Sequence, residues 1–391
     1  MEDQFAQLLT KHGIEQCHIL AINSDNQQPE IDYCHKDTTQ DSIFHLYSGT
    51  KLYTALAVLL LIQREKIPSL DSLVTDVVLD KDSNDDEGYT TFFQSEALQG
   101  VTIRHLLAHT SGLKDTPMAA FLAVHFEGED LPSTWDTLRQ FRLVRKSPPP
   151  AKPEYANVNF CILGELITKA SGKPFADFVQ AEILPPLQSG AKFHIDSNSD
   201  EVLVKGTMGY WTSILLKLIN DPADYKKIFE GSEWLRDARA YKLRRNFYMN
   251  CSAAGGLCGT AQDFVPYLQL VLQYFQDNKQ TPDWIEEHLW KELFTLQAQG
   301  PGCSLISGVG MGLGWKKAGA ADVQYWHHEG GGGGFTSETR IYPDDNLGIV
   351  ILMNSWSANY AESTLCHQLC GLIREHVAKK RADRGGAEEN N

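Results

Sequence analysis

The stretch FHLYSGTKLYTALAVLLLI, residues 44–62, is the most informative part of this 391-residue chain. From Ser48 to Glu65 the pattern is helical and apolar on most faces, which predicts a helix buried at the centre of the protein. Ser48 and Lys51 stand three residues apart at its start, so their side chains fall on one face. Because a desolvated lysine amine can take the proton of a nearby serine hydroxyl, the pair is a candidate nucleophile and base.

The same serine-to-lysine spacing recurs in two other pairs, Ser111 with Lys114 and Ser189 with Lys192. Spacing alone is therefore weak evidence, and a capping serine beside a surface lysine is the commoner arrangement. Both alternative serines are followed by glycine in turn-like surroundings. Only Ser48 opens a long apolar helix, whose N-terminal amides and positive dipole end favour developing negative charge.

A tyrosine and an asparagine separated by one residue form a second candidate motif. Tyr155 and Asn157 follow a proline-rich connection, 148–153, and precede a predicted helix, so both side chains can face a cleft. A phenol close to a lysine can relay protons. Tyr248 and Asn250 have the same spacing, and the residues alone leave this alternative open.

A glycine run forms the third candidate. The stretch HHEGGGGGF, residues 327–335, places His328, Glu329 and Gly330 at the end of a predicted strand. Glycines let backbone amides approach a bound acyl group closely, as an oxyanion hole requires. Such a run is more often a flexible turn, so this motif depends on the other two.

Composition excludes several classes of function. The formal net charge of -15 repels phosphate backbones, so nucleic acid is not an expected partner. Residues 1–20 lack a basic start followed by an apolar core, and the longest apolar run, 55–62, is far shorter than the about 20 residues that span a bilayer. We therefore expect a cytoplasmic protein without a membrane partner.

Cysteine and histidine spacing gives no metal site. The eight cysteines lack the close spacing of a disulfide framework, so we expect reduced, mostly buried thiols. Cys366 and Cys370 flank a histidine without forming a Cys-x-x-Cys pair, and His105 and His109 lack the glutamate of a His-Glu-x-x-His site. The sequence predicts neither a metal nor a cofactor.

The order of predicted elements indicates an α+β protein. A hairpin near the N-terminus and consecutive strands after about Gly308 predict one sheet, and a final helix runs from roughly 359 to 380. We expect a single domain over 1–380, with a sheet lobe from 1–45 and 308–380 and a mostly helical lobe over 46–307. Residues 381–391 are expected to form a flexible tail.

Six stretches together resemble the class C beta-lactamase-like serine hydrolases and the penicillin-binding proteins. They are FHLYSGTKLYTALAVLLLI, VTIRHLLAHTSGL, YANVNFCILGELITKASGKPF, SAAGGLCGTAQDF, GMGLGW and HHEGGGGGF, and the resemblance covers residues 44–354. This family includes peptidases of family S12, D-aminopeptidases, family VIII carboxylesterases and acyltransferases. The resemblance implies a beta-lactamase/transpeptidase-like fold, with an antiparallel sheet flanked by helices.

The resemblance also implies roles for individual residues. It makes Ser48 the nucleophile, Lys51 and Tyr155 the shared base and acid, and the amides of Ser48 and Gly331 the oxyanion hole. It favours Tyr155 over Tyr248 because the family motif follows a proline-rich approach and leads into a helix. Substrate contacts are expected from the remaining motif residues, namely Tyr47, Asn157, His328, Glu329 and Gly330.

The third motif departs from the family pattern. Class C beta-lactamases have Lys, Thr and Gly there, whose Lys and Thr meet the carboxylate of the antibiotic, whereas this chain has His328, Glu329 and Gly330. His328 is mostly neutral near pH 7 and Glu329 is ionised, so we expect a preference for neutral substrates over carboxylates. Arg340 is the alternative source of an anion site.

These observations favour a serine hydrolase that acts through an acyl-enzyme on a small ester or amide. An acyltransferase with the same acyl-enzyme, a D-amino-acid peptidase or beta-lactamase, and a catalytically silent binding protein of the same fold are the alternatives. The segment 197–250 matches no family pattern. Its aromatic residues, Tyr210, Trp211, Trp234 and Tyr241, are expected to build a wall of the substrate site.

Overall fold

An antiparallel eight-stranded sheet forms the middle layer of the protein. The computed structural model describes residues 1–388 except 26–27, 80–86, 117–123, 127–128, 131, 194, 196–202, 220–221, 237–238, 245, 277–280, 301–307, 321 and 357–360. In spatial order the sheet is β12 (Ala298–Gln299), β13 (Gly308–Met311), β14 (Lys316–Ala320), β15 (Val323–Gly332), β16 (Phe335–Tyr342), β17 (Leu347–Met353), β1 (Cys17–Ile22) and β2 (Ile31–His35).

The two faces of the sheet pack against different helices because side chains alternate along a strand. In β17, Ile349 and Ile351 belong to a core with α1 (Glu2–Lys11) and α14 (Ala361–Glu388). Val350 and Leu352 belong to the larger core shared with the helical lobe. The α+β, beta-lactamase/transpeptidase-like architecture is confirmed.

The helical lobe is built around α2 (Thr50–Gln63), in which every residue from 50 to 61 is buried. A helix that is apolar all round is stable only inside the protein, as the sequence predicts. The other described helices between α2 and α14 are α3 (Val74–Val78), α4 (Glu87–Phe93), α5 (Ile103–Leu107), α6 (Thr134–Leu138), α7 (Asn157–Ser171), α8 (Phe175–Glu182), α9 (Tyr210–Ile219), α10 (Pro222–Phe229), α11 (Ser252–Gly255), α12 (Ala261–Phe275) and α13 (Glu287–Leu293). Of these, α7, α8, α11 and α13 pack against α2.

Short strands lie between these helices. They are β3 (Phe44–His45), β4 (Leu113–Lys114), β5 (Val124–Phe126), β6 (Val144–Arg145), β7 (Thr207–Gly209), β8 (Glu233–Leu235), β9 (Ala240–Lys242), β10 (Phe247–Met249), β11 (Cys258–Gly259) and β18 (Ser355–Trp356). Within the described part of the chain, no helix combines the length and the apolar character needed to cross a bilayer.

Two boundaries differ from the sequence prediction. β15 continues past Gly330, the predicted end of the strand, to Gly332. The last helix reaches Glu388, eight residues past its predicted end, and Arg381 in this extension donates to the Asp345 and Asn346 carbonyls.

The expectation of wholly reduced thiols is wrong for one pair. Cys161 in α7 and Cys251, just before α11, form a disulfide across 90 residues, with Cα atoms 5.4 Å apart. The sequence hides this pair because the two cysteines are distant along the chain and meet only in the packed helical lobe. Cys366 and Cys370 are buried in the core beneath the sheet.

Candidate active site

Ser48 and Lys51 lie together where a short 3-10 turn, Tyr47–Gly49, leads into α2. Lys51 Nζ donates to Ser48 Oγ at 3.1 Å. Two further acceptors surround the amine, Asn157 Oδ1 at 3.0 Å and the Ala254 carbonyl at 2.7 Å. Ser48 is partly exposed while Lys51 is fully buried, so the hydroxyl is accessible and the amine is shielded from water.

Burial changes the acid-base chemistry of Lys51. Desolvation holds its pKa well below the usual lysine range, and the carboxylate of Asp115 opposes this effect only in part. A lysine with a lowered pKa can exist as the neutral amine that accepts the serine proton. The pair therefore has the geometry and the electrostatics of a nucleophile and its base.

Tyr155 lies beside this pair, immediately before α7. Lys51 Nζ is 5.0 Å from the centre of the Tyr155 ring. The His109 ring stacks on the phenol ring at 4.4 Å between centroids, and His109 Nδ1 accepts from the Ala156 amide at 3.2 Å. Because burial holds the His109 pKa well below its ordinary value, this imidazole is neutral and positions Tyr155 without adding charge.

Asp115 organises the start of α7, and sequence reasoning missed it. Its carboxylate accepts from the Asn157 amide at 3.0 Å, from Asn157 Nδ2 at 2.9 Å and from the Val158 amide at 2.8 Å. A carboxylate at a helix N-terminus is stabilised by the free amides there. Since both ends of the Asn157 side chain are engaged, by Asp115 and Lys51, Asn157 acts first as a positioning residue.

The third motif faces Tyr155 from β15. The His328 and Tyr155 ring centroids are 6.1 Å apart, and His328 Nδ1 donates to the Glu329 carbonyl at 2.7 Å. Burial holds the His328 pKa well below its ordinary range, so the ring is neutral and Nε2 carries a lone pair. Among the described residues this buried Nε2 has no hydrogen-bond partner.

Glu329 has a cationic partner on the neighbouring strand. Its carboxylate accepts from Lys316 Nζ at 2.7 Å. Burial by itself raises the pKa of Glu329, but the Lys316 ammonium in contact with it outweighs this effect and holds that pKa well below the usual range. Arg340, the alternative anion site, is buried and paired with Glu338 instead.

The glycines bring β15 against the backbone at Ser48. A Cβ on Gly330 would lie 2.1 Å from the Leu46 carbonyl oxygen and 3.1 Å from the Ser48 amide nitrogen. A Cβ on Gly331 would meet only the Trp356 ring, at 3.1 Å. The strand thus approaches Ser48 as closely as two backbones allow, and Gly331, the predicted oxyanion residue, follows at once in the strand.

Replacing Gly330 by alanine is expected to lower kcat/KM for an activated ester by at least about tenfold, because the added methyl must push β15 away from Ser48. Gly331→Ala is the matched control: it keeps the backbone N–H and presses only on a side chain. Steady-state kinetics on both variants check this. A loss that is equal or larger in Gly331→Ala contradicts the reading.

The alternative motif residues have structural partners. Ser111 Oγ donates to Asn159 Oδ1 at 2.7 Å, and Ser189 Oγ donates to the Asp263 carbonyl at 2.7 Å. Tyr248 packs between the rings of His45 and His125, at 4.7 and 5.2 Å. In the described part of the chain, the aromatic rings that Lys51 Nζ contacts are those of Tyr155 and Phe160.

His105 completes the cap at the start of α5, with its Nδ1 accepting from the Thr102 amide at 3.1 Å. It is therefore occupied by the backbone of its own helix.

Tyr47 is almost fully buried, and its hydroxyl donates to the Phe247 carbonyl at 3.4 Å. Its ring supports the loop at Gly333, and direct contact with substrate stays a prediction.

Two aromatic residues of the unmatched segment, Trp234 and Tyr241, lie on a small sheet next to the site, and the other two, Tyr210 and Trp211, begin α9. This sheet has the order β18-β7-β9-β8, and Trp356 of β18 covers Gly331. Trp234 packs on Tyr241 at 4.8 Å and on Tyr210 at 6.0 Å. Trp211 is 77% exposed, so the segment offers an open apolar surface.

The chain matches a known protein family over most of its length. The sequence model of the Beta-lactamase family matches residues 28–364, which is most of the chain. The chain therefore belongs to the Beta-lactamase family, whose members are serine hydrolases.

Curated relatives share low identity over long stretches. The unguisins hydrolase ungD' of Aspergillus campestris is 22% identical over 359 residues, which are 89% of this chain and 59% of that protein. Penicillin-binding protein 4 of Amycolatopsis lactamdurans is 23% identical over 381 residues, 95% of this chain and 89% of the relative. The chain thus spans less than two thirds of the fungal relative.

Solved structures share the fold. The D-amino acid amidase from Ochrobactrum anthropi SV3 superposes with a TM-score of 0.69 at 18% identity, over 98% of this chain and 100% of the amidase. The class C beta lactamase from Rhodobacter sphaeroides gives 0.64 at 16% identity, over 95% and 98%. At these identities the likeness confirms the architecture.

Proposed function

We propose that this protein is a serine hydrolase that forms an acyl-enzyme at Ser48 and acts on a small, neutral ester or amide. The observation that carries the proposal is the contact of 3.1 Å between Ser48 Oγ and the buried Lys51 Nζ. The commoner arrangement, a capping serine beside a surface lysine, would not explain why this amine is buried and surrounded by three hydrogen-bond acceptors.

The proposed reaction uses residues that the fold brings together. Ser48 Oγ attacks the substrate carbonyl and passes its proton to Lys51, while the amides of Ser48 and Gly331 stabilise the oxyanion. Tyr155, which lies beside Lys51, relays a proton to the departing alcohol or amine. Water then attacks the acyl carbonyl, the bond to Ser48 Oγ breaks and the acid leaves.

The neutral His328 ring supports an amide or alcohol as one substrate group. Its buried Nε2 can accept a hydrogen bond from an N–H or O–H and cannot pair with a carboxylate unless it is protonated. The open apolar surface around Trp211 suits the remainder of a hydrophobic substrate.

Turnover of a short-chain nitrophenyl ester and labelling by a fluorophosphonate test the proposal directly. We expect hydrolysis of the ester and one covalent adduct per chain. Adding a small alcohol or amine then distinguishes hydrolysis from acyl transfer, because a transferase diverts the acyl group to the acceptor. A protein that is neither labelled nor able to cleave the ester is a binding protein, and the proposal fails.

A further inference from the structure

Lys316 and Glu329 form a buried ion pair that spans two neighbouring strands. Lys316 Nζ lies 2.7 Å from Glu329 Oε1, and the side chains are only 5% and 12% exposed. In the register of β14 and β15, Lys316 stands opposite His327. Glu329 follows two residues further along β15, so the sheet itself places the two charges on one face.

The ion pair lies next to Tyr155 and close enough to Lys51 to affect its pKa. Lys316 Nζ is 4.6 Å from the centre of the Tyr155 ring, a distance at which a cation interacts with the ring face. The two charges act on Lys51 in opposite directions, since Lys316 lowers its pKa and Glu329 raises it. A cation therefore lies beside the catalytic phenol, and its charge is balanced by a carboxylate in direct contact.

The other acid on this face has its own partner. Glu338 stands opposite Glu329 in the register of β15 and β16. Its carboxylate accepts from Arg340 Nε at 2.9 Å, and Arg340 Nη2 lies 2.8 Å away. His327 lies between the two acids, 3.4 Å from each. Because Arg340 already balances Glu338, loss of Glu329 leaves Lys316 without a carboxylate in contact among the described residues.

We propose that Lys316 is a latent carboxylate-binding residue and that Glu329 occupies it, so that the enzyme selects substrates that are neutral beside the reacting carbonyl. The inference rests on the proposed acyl-enzyme function and adds the pair of residues that determines its specificity. An anionic substrate has to compete with a carboxylate that the sheet already holds in place. A neutral substrate does not compete with Glu329 for Lys316, so the ion pair does not weaken its binding.

The test compares a substrate that carries a carboxylate beside the scissile ester with its methyl ester, in wild type, Glu329→Gln, Lys316→Met and the double variant. The readout is the ratio of kcat/KM for the acid to that for the methyl ester. We expect wild type to favour the methyl ester and Glu329→Gln to shift the ratio toward the acid by at least about tenfold, because the lysine charge is uncovered. The double variant should return to within about twofold of wild type.

Two outcomes overturn the inference: an unchanged ratio in Glu329→Gln, or a shift that survives in the double variant. If Glu329→Gln does not fold, the variant that exchanges the charges, Lys316→Glu with Glu329→Lys, decides the question. It keeps the pair and should still favour the methyl ester, so a preference for the acid contradicts the inference. Fluorophosphonate labelling of wild type separates the two proposals, since absence of label refutes the acyl-enzyme, whereas a label with an unchanged ratio refutes only the role of the pair.

Discussion

Ser48→Ala is expected to abolish both ester turnover and fluorophosphonate labelling, because the nucleophilic oxygen is removed. The fold should persist. Ser48 makes no capping hydrogen bond at the start of α2, and Lys51 keeps two of its three acceptors, Asn157 Oδ1 and the Ala254 carbonyl. The change in the free energy of unfolding should therefore be about 1 kcal/mol or less.

Peptide mass spectrometry of the labelled wild type checks the assignment, and the adduct should lie on the peptide that contains Ser48. Ser189→Ala is the matched control because Ser189 has the same spacing to a lysine and its hydroxyl is bonded to a backbone carbonyl. This control should label and turn over like wild type. An adduct on any other serine would falsify the assignment of the nucleophile.

Lys51→Ala and Tyr155→Phe are each expected to lower kcat by at least about a hundredfold, the scale on which loss of a general acid or base acts. KM should change less, because neither change removes apolar contact area with the substrate. Tyr248→Phe is the matched control for the phenol, since Tyr248 shares the motif spacing but packs between two histidine rings. Should Tyr248→Phe lose activity while Tyr155→Phe keeps it, the proton relay is assigned to the wrong tyrosine.

The pH dependence of wild-type kcat/KM is expected to follow the ionisation of Lys51. In the proposed mechanism Lys51 acts as the neutral amine, so kcat/KM should rise with pH through the lysine pKa and be lost as pH falls through it. Because burial holds that pKa well below its ordinary range, the plateau should be reached well below pH 10.5. The ionisation should be absent from the residual activity of Lys51→Ala.

The parts of the site that lie close together in the sequence could be predicted, and those assembled by packing could not. Ser48 and Lys51 share one helical turn, so spacing and the apolar helix that follows suffice to pair them. Tyr155 needed the family resemblance, because a tyrosine one residue from an asparagine occurs twice. The sheet, whose strands alternate between two cores, was readable from apolar patterning.

Lys316 and Asp115 show why the rest was missed. Lys316 reaches Glu329 only through the register of two strands, and no local pattern states which residues face each other across a sheet. Asp115 lies 42 residues before the helix start that it caps. The partner of Glu329 is likewise set by tertiary structure.

The disulfide between Cys161 and Cys251 has a consequence for motion in the site. Cys161 stands one helical turn after Asn157, and Cys251 stands three residues before Ala254, so the bond joins the two segments that hold Lys51 in place. Neither segment can open far without carrying the other. The two segments that contact Lys51, α7 and α11, should therefore open as one cooperative unit. In hydrogen-exchange measurements, a condition that changes amide protection in one of them should change it in the other.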